Sequence, residues 1–133
     1  MRAIVTYVAT AIAFLALDAV WLTLTGQTLY KAVLGDLVLD QPRLGPAAAF
    51  YVIYIFGLVR FVVLPSVNTG GIGRALLEGA LFGLVAYATY DLTNQATLKV
   101  WSMRITLMDL GWGAFVSAAG SAVGLLVARR FER

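Results

Sequence analysis

Three aspartates sit inside stretches that are otherwise apolar: Asp18 in FLALDAVWL, Asp91 in YATYDLTN and Asp109 in ITLMDLGWG. Carboxyl groups in such surroundings can carry protons, act as general acid and base, or hold a cation. Other polar side chains accompany them. Tyr87, Asp91 and Asn94 are spaced i, i+4 and i+7, which places them on one face of a helix, with Tyr90 beside them. Trp112 follows Asp109 by three positions, Trp21 follows Asp18 by three, and Tyr51 and Tyr54 interrupt the run FYVIYIFGL. An ionised carboxylate facing lipid costs roughly 2.5–3.5 kcal/mol. Such groups must therefore point inward, pair, bind a cation or stay protonated.

The elements that position these residues follow from the composition. Of 133 residues 61% are hydrophobic and 13% charged, with a mean hydropathy of +0.86. A water-soluble domain carries about a quarter charged residues, so too few charges remain here to cover a water-facing surface. The length fits one domain. With no Cys and no His, disulfides, thiolate nucleophiles, histidine-bound haem, the common zinc sites and a Ser-His-Asp triad are excluded. The net charge of +3 is spread over several segments without a basic stripe. It is read as topology rather than nucleic-acid binding. No cofactor and no metal site are expected.

Four apolar runs, 4–24, 45–64, 75–98 and 105–128, are each long enough to cross the hydrocarbon core as a helix. The fold class is thus all-α, an integral-membrane four-helix bundle of two helical hairpins forming one domain over 1–133. Arg2 before an apolar run invites a signal-peptide reading, but the run is too long and is followed by three more. Residues 25–44 mix Leu29, Val33 and Leu37 with Lys31, Asp36 and Asp40. They read as a short interfacial amphipathic helix or as an ordinary polar loop. Pro65 and SVNTGGIG read as a loop, and Lys99 to Arg104 as a tight turn. At a helical rise of 1.5 Å per residue, Asp18 lies roughly 21 Å along the first span, Asp91 roughly 24 Å along the third, and Asp109 about 6 Å into the fourth from the opposite side. All three fall in one half of the bilayer, where Lys99 and Arg104 could serve as counter-ions.

Arg2, Arg60, Arg74, Arg129, Arg130 and Arg133 lie toward one side, against Lys31, Arg43, Lys99 and Arg104 on the other. This bias puts both termini in the cytoplasm. The cytoplasmic (inner) membrane of a bacterium is the expected location. The matching positions of Asp18 and Asp91 in the first and third spans hint at an internal repeat that the second and fourth do not share.

Each polar feature also has a structural explanation. Buried polar groups can simply hold helices together. Glu78 falls in the first turn expected of the third helix, where the helix dipole favours a negative charge. Trp21 and Trp101 fit an interfacial aromatic belt. Gly79 with Gly83, and Gly120 with Gly124, form GxxxG pairs, and Gly113 and Ser117, with Ser121, add a second small face. Small faces let helices approach closely, within one chain or between copies.

The segments FLALDAVWL, FYVIYIFGL, GALFGLVAYATYDLTNQATLKVW and ITLMDLGWG resemble the bacterial predicted-membrane-protein family known as domain of unknown function 2177, over nearly the whole chain. The resemblance implies the same four-helix architecture. It marks Asp18, Tyr54, Asp91, Asn94, Asp109 and Trp112 as motif positions. Gln95 and Ser102 depart from the family pattern, where an apolar residue and a proline are expected. The family name carries no function.

Three functions compete. The first is binding or transport of a small molecule or lipid, with Asp18, Tyr54, Tyr87, Asp91, Asn94, Asp109 and Trp112 as ligand- or proton-binding residues. The second is a membrane-embedded enzyme acting on lipid, in which the three aspartates share acid–base work or hold a divalent cation. The third is a non-catalytic subunit or assembly factor. The expected partners are the lipid bilayer, a small-molecule or lipid ligand, and a second copy or a membrane complex, with no nucleic acid.

Overall fold

A computed structural model of the chain describes residues 2–131; Arg133, counted above in the charge bias, lies outside the described residues. Among them four helices are long and apolar enough to cross a membrane: α1 (Arg2–Leu37), α2 (Leu44–Asn68), α3 (Gly71–Thr97) and α4 (Met103–Arg130). The chain is an all-helical membrane protein.

The distribution of side chains shows which solvent this fold expects. Ile4, Ile53, Leu77 and Leu107 lie on the outside, each more than 60% exposed, while Thr6, Thr10, Ser66, Thr106, Ser117 and Ser121 are buried. Water would drive the opposite arrangement. In lipid, tails are as apolar as leucine, so burial of apolar surface gives little drive for helix association. Close packing and interhelical hydrogen bonds supply it instead.

That packing is densest between α3 and α4, and α1 lies mainly along α4. A Cβ added at Gly79 would come within 2.9 Å of the Ser117 carbonyl oxygen, and one at Gly83 would run into the Gly113 carbonyl. Gly113 in turn lies beneath the Tyr87 ring, and Gly120 and Gly124 face Phe14 and Thr10 of α1. Both GxxxG pairs are used inside the chain, a point the spacing left open. The second half of α2 packs on α3 and α4, whereas the backbone of its first half comes close only to α1 and reaches α3 and α4 through side chains such as Tyr54.

Several helix ends differ from expectation. The short helix expected after the first span is present at Lys31–Leu34, but it continues α1 through a widened, π-type turn at Gly26–Tyr30. A second such turn, Val59–Val63, carries α2 through Pro65 to Asn68. Pro65 has no N–H for the carbonyl four residues back, and the wide turn just before it absorbs the defect. The expected SVNTGGIG loop therefore shrinks to Thr69 and Gly70. Gly70 (φ 88°) and Gly71 (φ 60°) adopt left-handed conformations that let α3 begin at once. Glu78 is consequently the eighth residue of α3 and not in its first turn, so the helix dipole does not account for its charge there. It is half-buried on α3 instead.

Candidate functional site

Where the first half of α2 stands away from α3 and α4, a cavity of about 400 Å³ opens. Asp18, Tyr54, Tyr87, Asp109 and Trp112 line it, together with Trp21, Leu22, Tyr30, Phe50, Tyr51, Ala86 and Tyr90. The spans thus bring five of the seven predicted ligand residues to one space. All three aspartates avoid lipid: Asp18 is 6% exposed, Asp109 4% and Asp91 0%.

Two carboxyl groups anchor the polar end. Asp18 Oδ1 accepts the indole N–H of Trp112 at 3.0 Å, and Oδ2 accepts the Tyr51 hydroxyl. Asp109 Oδ1 accepts the Tyr30 hydroxyl, which itself accepts the Trp21 indole N–H at 3.2 Å. The two arrangements meet where Trp21 and Trp112 stack, with ring centroids 4.7 Å apart and planes 5° from parallel. Offset stacking of this kind adds about 0.5–1.5 kcal/mol to the area buried. It also fixes the two indole N–H vectors, one donating to Asp18 and the other to the Tyr30 hydroxyl.

Asp91 sits behind this wall. Its carboxyl faces that of Asp109, and neither oxygen finds a hydroxyl or N–H donor among the described residues. Asn94 is not on the cavity wall; it is half-buried and faces Tyr90. Its position one turn along from Asp91 aims it past the rim. At the deep end the Tyr54 hydroxyl and Ser117 Oγ are 2.6 Å apart. The Tyr54 ring packs against Phe14, at 5.2 Å, and edge-on against Tyr87, at 6.2 Å.

Lys99 and Arg104, expected to reach down as counter-ions, are exposed at the α3–α4 turn and line no part of the cavity. Five residues separate α3 from α4 there, and the turn holds their side chains outward. The three aspartates also do not gather as a cation-ligand set among the described residues. Asp18 is drawn to Tyr51 and Trp112, while Asp91 and Asp109 face each other.

Three residues of the site, Trp21, Tyr51 and Tyr30, lie outside the set expected to bind a ligand. Trp21, expected in an interfacial belt, stacks within the site. Trp101, the other belt residue, donates its N–H to Thr106 Oγ1 at 3.0 Å. Tyr51 was noted only as a polar residue of the second span. Tyr30 was missed because it reaches Asp109 only through the wide turn at Gly26–Tyr30, which no periodicity announces. Such turns frequently occur at functional sites. The two departures from the family pattern also bond locally. Gln95 Oε1 accepts from Thr106 Oγ1 at 2.7 Å, and Ser102 Oγ accepts from the Ile105 N–H at 3.2 Å to cap α4.

No curated protein and no solved structure matches the chain. The model of one family does, over residues 3–126. That span reaches into all four helices and takes in every residue of the cavity, and the chain belongs to this family of predicted membrane proteins, domain of unknown function 2177.

Proposed function

We propose that the chain binds the polar part of a small molecule or lipid in the cavity between its helices, as a binding or transport protein. One observation carries this reading: a space of about 400 Å³ walled by aromatic rings and the carboxyl groups of Asp18 and Asp109, whose rim residues, Leu22, Phe50 and Tyr90, are exposed to the surroundings. Ligand sites are typically concave and mostly apolar, with a few placed polar groups. A rim of exposed apolar and aromatic side chains at the outer half of the helices gives a lipid or amphiphile a lateral way in.

The reading extends to location and assembly. The chain is proposed to sit in the cytoplasmic membrane of a bacterium with both termini inside, supported by Arg60, Arg74, Arg129 and Arg130 toward one end and Arg43, Lys99 and Arg104 toward the other. A reporter fused after Arg130 should be active only if it is cytoplasmic. A second copy or a membrane complex is proposed as partner. Because the GxxxG faces are occupied within the chain, such a contact would use the outward apolar faces.

The ligand proposal is tested by mass spectrometry of small molecules and lipids that co-purify with the wild type, with Asp91→Asn and with Ala86→Phe, whose ring would occupy part of the cavity. A defined compound held by the wild type and lost from Ala86→Phe supports it. An identical lipid background in all three proteins would sink it.

A further inference from the structure

We infer that the cavity recognises an alkylammonium group, carried either by the head of a lipid or by a free organic amine. This inference rests on the binding reading above and adds the charge and chemistry of the ligand.

Eight of the twelve residues lining the cavity are aromatic and two are aspartates; none is Lys or Arg. The ring faces of Tyr, Trp and Phe carry negative potential and attract a cation lying over them. The carboxyl groups of Asp18 and Asp109 add to that potential, and Asp91 stands directly behind Asp109. No basic side chain on any of the four helices lines the space to balance them.

The committed hydrogen bonds point the same way. An anionic or sugar head needs donors, and apart from the hydroxyls of Tyr87 and Tyr90 the donors here are spent on the protein. Trp112 and Tyr51 donate to Asp18, Tyr30 donates to Asp109, and Trp21 donates to Tyr30. Tyr54 is engaged with Ser117. Backbone N–H groups of the helices are bonded internally. A phosphate, sulfate or carboxylate would meet two carboxyl groups with no cationic donor on the wall to compensate. A methylated or alkylated ammonium needs no acceptor geometry; it needs desolvated aromatic faces and carboxyl groups beside them, and the cavity wall supplies both. The alkyl chain would leave past Leu22 and Phe50, which are exposed at the rim.

The test uses the full chain in nanodiscs, read by tryptophan fluorescence, because Trp21 and Trp112 line the site. The probes are octyltrimethylammonium, octyl sulfate, octyl glucoside and tetramethylammonium, with the signal of empty discs subtracted. Saturable binding of octyltrimethylammonium at least about tenfold tighter than of octyl sulfate or octyl glucoside is expected. In Asp109→Asn that preference should fall. Tetramethylammonium binding as tightly as the octyl compound would identify the source as a free amine; a requirement for the chain would identify an amphiphile such as a lipid. Octyl sulfate or octyl glucoside binding as well as the ammonium overturns the inference and leaves the cavity as a site for another head. Failure of every probe to saturate overturns it together with the binding reading. The ranking in the wild type decides the matter even if Asp109→Asn does not fold.

Discussion

Trp112 on α4 donates its indole N–H to Asp18 on α1 at 3.0 Å, joining residues 94 positions apart in the chain. The Tyr51 hydroxyl of α2 reaches the other oxygen of the same carboxyl group. One buried aspartate therefore ties three helices together. Its deep position is tolerable because each oxygen has a donor.

Removing one donor should cost stability. Trp112→Phe keeps an aromatic ring near Trp21 but takes away the N–H, and a loss of about 1–3 kcal/mol is expected. Tyr51→Phe should cost a similar amount. Since both serve one carboxyl group, the double variant should depart from additivity by about 0.5–3 kcal/mol. Reversible unfolding in mixed micelles measures all three. Strict additivity would show that the two bonds act independently and contradict the shared anchor.

The α3–α4 seam depends on the absence of side chains at named positions. A Cβ at Gly83 would strike the Gly113 carbonyl, whereas one at Gly111 meets nothing within 4 Å. Gly83→Ala should force the helices apart and destabilise by about 1–3 kcal/mol. Gly111→Ala should be neutral or slightly stabilising, because alanine is the better helix former by about 1 kcal/mol. Thermal unfolding of the two variants side by side checks this. Equal behaviour would mean that the close approach is not needed.

Ser102 caps α4 by accepting the Ile105 N–H. Ser102→Ala should cost about 0.5–2 kcal/mol and loosen the first turn of the helix. Faster hydrogen exchange at Ile105 and Thr106, with the middle of α4 unchanged, is the expected signature. Unaltered exchange at Ile105 would count against the cap.

The connection between α1 and α2 supplies a pH prediction of small effect. Asp40 pairs with Lys31 at 2.9 Å in the open, and that ammonium holds its carboxyl below the usual carboxylate range. A depressed folded-state value stabilises the folded form above the ordinary carboxylate pKa, and the contribution fades as pH falls through the folded value. Because the pair is exposed, water and salt screen it. Asp40→Asn should leave the unfolding midpoint unchanged at pH 7 within error and slightly reduce its sensitivity to acid below about pH 4. A large drop at neutral pH would mean the pair is shielded from water.

The sequence by itself determined the solvent, the class and the inventory. Sixty-one per cent hydrophobic residues in four long runs can only be satisfied by helices in lipid, where each helix closes its own backbone hydrogen bonds. The 1.5 Å rise then placed Asp18, Asp91 and Asp109 at matching depth without any knowledge of contacts. Short connections made neighbours antiparallel.

Partners across helices were decided only by the tertiary structure. Depth along a helix follows from counting residues, but rotation about its axis does not, because lipid-facing and helix-facing residues here are both apolar and leave a weak pattern. So Asn94 was grouped with Asp91 although it turns toward Tyr90, and Lys99 and Arg104 were offered as counter-ions although they stay outside. The widened turns at Gly26–Tyr30 and Val59–Val63 add a residue to the helical repeat and re-aim everything beyond them. That local register change brought Tyr30 to Asp109 and carried α2 past Pro65. It arises from packing and from a missing N–H, interactions that no single segment of sequence contains.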